Sequence, residues 1–99
     1  MSFVNAYPEK LAAAAANLQS IADTLNAGIA AAAAPTQSVV PAAADEVSAL
    51  TAAQFVVHAQ RYQALGAQAA VIQQLLVATL SAGAASYAAT EAANAASAG

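Results

Sequence analysis

The sequence predicts an all-α fold: an antiparallel two-helix hairpin that completes a four-helix bundle with a partner protein. Three observations lead there. Alanine makes up more than a third of the 99 residues. Large apolar residues recur at heptad spacing in two long runs. Prolines at 35 and 41 mark a single break between those runs.

Alanine is the strongest helix former and loses almost no side-chain entropy on folding, so the composition favours long helices. It also buries little area. At roughly 25 cal/mol per Å² of apolar surface, the few Leu, Ile, Val, Phe and Tyr residues must supply most of the burial energy. A chain of this size already buries a smaller share of its surface than a larger domain does. Hydrophobic residues reach 61% while aromatics are 5% and charged residues 7%, so the core available to a monomer is thin. A second chain is expected to complete it.

The first helix is expected over residues 8–34. Pro8 suits a first helical turn, where its missing N–H has no partner to lose, and Glu9 complements the positive end of the helix dipole. Leu11, Leu18 and Leu25 follow at intervals of seven, with Ile21 and Ile29 between them and Ala14, Ala15, Ala22 and Ala32 completing the stripe. Polar residues such as Asn17, Gln19 and Asp23 mostly take the other faces, which gives an amphipathic helix with a near-heptad seam. Pro35 is expected to end it, because the residue before a proline is pushed out of helical geometry.

Residues 35–44 form the linker. Asp45 can cap the second helix, with Glu46 in its first turn. That helix is expected over about 45–83, roughly 60 Å at 1.5 Å per residue. Phe55, Tyr62, Ala69 and Leu76 form one heptad row, with Leu65, Ile72 and Leu80 close beside it. Leu50, Val57, Val71 and Leu75 form a second strip, and Val47 joins the apolar set at the helix start. In this register Leu11, Leu18 and Leu25 face Phe55, Tyr62 and Ile72. With apolar residues on more than one strip, one strip is left for another molecule, which takes the bundle to four helices or more. After Gly83 the chain holds small residues with no bulky stripe, so a frayed end with a flexible tail over 92–99 is expected.

Chemistry is sparse. With two basic residues, Lys10 and Arg61, and a net charge of −3, no nucleic-acid surface and no basic lipid-binding face is expected. No cysteine is present. His58 is the only histidine, too few ligands for zinc, and reads as an ordinary helix-surface or interface residue. Asp45 and Glu46 point about 100° apart on a helix, which suits capping rather than an acid/base dyad. The hydroxyls have no adjacent base to activate them, and the glycines form no phosphate loop. No catalytic residue, no metal site and no cofactor is expected. Arg61 reads as a solvated residue or as a contact at an interface rim. No basic-then-apolar leader opens the chain. The uncharged stretch from Tyr62 to Thr90 is long enough to cross a bilayer but is interrupted by four glutamines and Ser81-Ala-Gly83, so no stable membrane span is expected.

Tyr87 and Glu91, spaced i and i+4, would be neighbours on one helix face. They form either a recognition patch or a tyrosine packed on the hairpin end with an acid beside it.

Four features together resemble the mycobacterial PE family, which is named for a Pro-Glu pair near the N-terminus. The pair stands here as Pro8-Glu9, after the family-like opening Met1-Ser-Phe-Val. Val40-Pro-Ala-Ala-Ala-Asp45-Glu-Val-Ser48 is similar to the family's inter-helix segment, and residues 1–91 match one PE domain in length. Tyr87-x-x-x-Glu91 matches the Tyr-x-x-x-Asp/Glu signal associated with type VII secretion.

The resemblance implies a helical hairpin that pairs with a PPE-family protein. The pair would be exported folded, through a type VII (ESX) system, to the cell wall, cell surface or medium. Contact with the secretion chaperone falls to the PPE partner. It further implies that a short member consists of the pairing and export module, with host-interaction, nutrient-transport and envelope roles equally open. Two other functions compete. One is a self-pairing secreted hairpin similar to the WXG100 proteins, although this chain has no Trp for their Trp-x-Gly turn. The other is a membrane-active or pore-contributing helical protein, motivated by the long uncharged second helix.

Overall fold

The carbonyl of Tyr7 accepts hydrogen bonds from the amides of Lys10 (3.0 Å) and Leu11 (3.2 Å), which starts the first helix with Pro8 in its opening turn. The computed structural model describes residues 6–98, so the opening Met1-Ser-Phe-Val lies outside the described residues. Among those described there are two helices, α1 over Pro8–Gln37 and α2 over Glu46–Ala98, and no strand. The Lys10 ammonium sits 4.8 Å from the centroid of the Tyr7 ring, a cation–π contact at the helix entry.

Helix α1 does not stop at residue 34. It runs through Pro35 to Gln37. A proline this close to a helix end removes one ladder bond from the last turn only. The Thr36 hydroxyl holds that turn by donating to the carbonyl of Ala32 at 2.5 Å.

Asp45 caps α2 as its sequence position predicts. Its Oδ1 accepts the Ser48 amide at 2.6 Å and its carbonyl accepts the Ala49 amide at 3.1 Å. The Ser48 amide, followed by the Ser48 side chain, holds the Asp45 carboxyl below its ordinary value. A depressed folded-state value means that the cap's contribution is present above the ordinary carboxylate range and is lost as pH falls through it. Helicity of the Asp45→Asn variant, followed by circular dichroism from pH 6 to 2, is therefore expected to change less with acidification than that of the natural chain.

Nor does α2 end near Gly83; it continues without a break to Ala98, so residues 92–98 are helical rather than a loose tail. One glycine costs only about 1 kcal/mol against alanine in a helix. The alanine-dominated segment on either side outweighs that, and Gly83 does not adopt the left-handed geometry of a helix stop. A Cβ added at Gly28 or Gly83 would meet nothing within 4 Å. Gly28→Ala and Gly83→Ala should each stabilise the fold by about 1 kcal/mol, read as a rise of about 4–8 °C in Tm.

The chain forms two units. In the unit of residues 23–71, the second half of α1 turns through the connection and returns as the first half of α2. Contacts pair Ile29 with Gln63 and Gly66, and Ala32 to Thr36 with Phe55 to Tyr62, so the two segments run antiparallel. The connection lies back along α2, where Val39 and Val40 share a groove with Val47, Thr51 and Phe55. The covered row of α2 here is Ala52, Val56, Ala59, Gln63, Gly66 and Ala70, with Ala52 and Ala59 buried. Its steps alternate four and three residues, a heptad seam in the coiled-coil sense. A Cβ at Gly66 would stand 3.1 Å from Cγ2 of Ile29, so glycine is what admits the isoleucine. Gln63 Nε2 donates to the Ile29 carbonyl at 2.8 Å.

The other unit joins residues up to 22 with residues from 72 onward. Ala15, Ala22 and Ala84 are buried here, and Leu11, Leu18, Gln73, Val77 and Leu80 are half-buried. In both units the buried residues, among those described, are alanines alone.

The register of the hairpin therefore differs from the one that residue size suggested. Phe55, Tyr62 and Ile72 do not face Leu11, Leu18 and Leu25; they are 58%, 54% and 66% exposed. Leu80 belongs to the seam and not to the row of Leu65 and Ile72. Leu25 also lies largely outside, while neighbouring Asn26 is half-buried. Two rows with the same heptad period run along α2. Closeness between helices selects the row of small residues, because these allow the backbones to approach.

Candidate functional site

What the seam leaves outside is the apolar surface of α2. In the unit of residues 23–71, Phe55 and Tyr62 stand one heptad apart, with Leu65 three residues on and 64% exposed. Val57 and Val71 lie on the second strip, and Val47 and Leu50 are exposed near the helix start. In the other unit Ile72, Leu75 and Leu76 repeat the pattern, and Ile21 of α1 is 62% exposed. Ile29, Leu11 and Leu18 are half-buried and serve the hairpin itself. The sequence-predicted interface residues thus separate into two groups. Leu11, Leu18, Ile29 and Leu80 are seam residues, while Ile21, Leu25, Val47, Leu50, Phe55, Tyr62, Leu65, Ile72 and Leu76 remain exposed.

Half the area of a large apolar side chain is roughly 100 Å². In the unit of residues 23–71, the exposed Val, Leu, Phe and Tyr residues of α2 present on the order of 700 Å² at that rate, close to the roughly 800 Å² per partner of a stable interface. A soluble monomer does not ordinarily leave that much large-residue surface on one helix. By length and composition α2 is also apolar enough to cross a membrane.

One groove of about 580 Å³ indents this surface, lined by Ala32, Pro35, Thr36, Val39, Phe55, His58, Ala59 and Tyr62. A second, of about 660 Å³, lies in the other unit between the start of α1 and the last turns of α2. Pro8, Glu9 and Ala12 line one wall, and Ser81, Ala84, Ala85, Ala88 and Glu91 the other. The Pro8-Glu9 pair and Glu91 are 82 residues apart in the chain and are brought to one groove. Tyr87, one helical turn before Glu91, is 51% exposed. The continuation of α2 past Gly83 puts Tyr87 and Glu91 on a regular helix, i to i+4.

Sequence reasoning missed this juxtaposition and the alanine seam. The signal for the seam was present as Ala52, Ala59, Gly66 and Ala70 falling on one row spaced by sevens and fours. Among the described residues, no group of three or more His, Cys, Asp or Glu side chains comes together.

The comparisons with known proteins agree with the motifs. The model of the PE family matches residues 4–94. The PE family protein PE13 of Mycobacterium tuberculosis (strain ATCC 25618 / H37Rv) is 66% identical over 98 residues, covering 99% of this chain and 99% of that protein. The PE-PGRS family proteins PE_PGRS33 and PE_PGRS8 of the same strain are each 58% identical. They match over 97% and 98% of this chain, which spans only 19% and 55% of their respective lengths. With a family match across nearly the whole sequence and a relative this similar along its full extent, the chain belongs to the PE family.

Proposed function

We propose that this chain is the small, non-enzymatic subunit of a PE/PPE heterodimer, exported through a type VII secretion system to the cell surface or medium. One observation carries the reading. Among the described residues the hairpin fully buries only alanines and leaves Phe55, Tyr62, Leu65, Ile72 and Leu76 about half or more exposed. A second helical protein covering them would complete the four-helix bundle, and membership of the PE family makes a PPE-type protein the candidate. Tyr87 and Glu91, presented together on α2, supply the export signal, and contact with the secretion chaperone falls to the partner.

Expressed alone, the full chain should be insoluble or poorly folded; co-expressed with its cognate PPE-type protein it should yield a soluble one-to-one complex by light scattering. A stable, monodisperse monomer would overturn the proposal. A homodimer would favour the self-pairing hairpin instead.

The length and hydropathy of α2 favour a second reading, a membrane-active helix. Flotation of the purified heterodimer with liposomes tests it, and a pair that stays with the aqueous fraction leaves it without support.

A further inference from the structure

His58 stands three residues after Phe55 and four before Tyr62, and all three side chains line the groove of about 580 Å³. α1 contributes Ala32, Pro35 and Thr36 to the same groove, and the connection contributes Val39. Neither brings a titratable group. From α2 the titratable groups nearby are the Tyr62 phenol, which lines the groove, and Arg61, exposed on the following turn. No carboxylate lines the groove.

We propose that this groove seats a bulky, uncharged apolar side chain of the heterodimer partner, and that covering it makes the pair acid-labile through His58. The inference rests on the heterodimer reading above. Its support is the surface itself: Phe55 and Tyr62 flank the groove within an apolar face close in area to one side of a stable interface, and the groove wall offers no charge for a charged anchor to meet.

A partner seated there removes water from the ring, and desolvation penalises the charged form. The pair therefore forms with a neutral imidazole and gives up a proton where the free chain carries one. The requirement for the neutral form weakens pairing as pH falls from 7.5 to 5.5, by at most about tenfold per pH unit for one excluded proton.

The test uses the full chain and its cognate PPE-type protein, co-purified as the complex, with the dissociation constant measured at both pH values for the natural chain and for His58→Gln. Glutamine keeps comparable bulk and hydrogen-bonding capacity but cannot charge. The natural pair should weaken more than the variant on acidification, by at most about tenfold per pH unit. Other titrating groups act on both proteins alike, so the difference isolates His58. Calorimetry in buffers of different ionisation enthalpy should count more protons released on pairing by the natural chain than by the variant. Equal weakening of the two, or a natural pair that tightens at pH 5.5, overturns the inference and leaves the heterodimer standing. Absence of pairing at pH 7.5 overturns both.

Discussion

Replacing Phe55 or Tyr62 with alanine is expected to cost about 3–5 kcal/mol of heterodimer stability, the range for a fully buried aromatic ring truncated to a methyl group. In affinity this is more than a hundredfold. The expectation is sharp because the two rings do so little for the hairpin, where each leaves over half its surface outside the seam. A substitution there removes a contact with the partner while Ala52, Ala59 and the Gln63–Ile29 bond still close the two helices. Large interface losses concentrate in a few aromatic anchors, and these two line one groove with Ala32, Pro35 and Thr36. The measurement is the dissociation constant of the purified pair, with helicity of each variant pair as a control for folding. Unchanged affinity in both variants would mean that the partner covers a different strip.

The second large effect concerns export. Tyr87→Ala and Glu91→Ala should each hold the assembled pair inside the cell, with the complex still formed and the amount in the medium falling to background. Both side chains are exposed on the last turns of α2, so neither substitution disturbs the seam. Co-purification from the cytosolic fraction checks assembly, and quantification of the culture filtrate checks export. Undiminished secretion of both variants would refute the signal role. Because Glu91 also lines the groove with Pro8 and Glu9, a Glu9→Gln variant measured in parallel separates a requirement for this groove from one for the tyrosine–acid pair alone.

Much of this architecture was legible in the residues. Pro8, Asp45 and the pause between residues 38 and 45 marked the helix starts and the turn, because capping and proline geometry act locally and leave a local signature. The helix ends were harder to read. Pro35 and Gly83 looked like stops because each disfavours a helix by itself, and in both places the surrounding alanines and the position within the helix outweighed the penalty. The seam was misread for a different reason. Size draws attention to Leu, Phe and Tyr as core residues, an inference that fails where a hairpin is only half of a folded unit. Here alanines fill the buried positions, while Phe55, Tyr62, Leu65 and Ile72 stay more than half exposed. The grouping of Pro8, Glu9 and Glu91 required knowing how far α2 runs, which no single local motif encodes.

The alanine seam carries a further consequence. Ala52 and Ala59, one heptad apart in the seam, offer the same methyl group to the mate, so they do little to fix one helix along the other. Residue 29 and its two neighbours across the seam act as the detent. A seven-residue shift would carry Ile29 away from the glycine that makes room for it and onto Ala59 or Gln73. Ile29, Gln63 and Gly66 thus set the alignment of the two helix segments in the unit of residues 23–71, and with it the spacing at which Phe55 and Tyr62 are displayed.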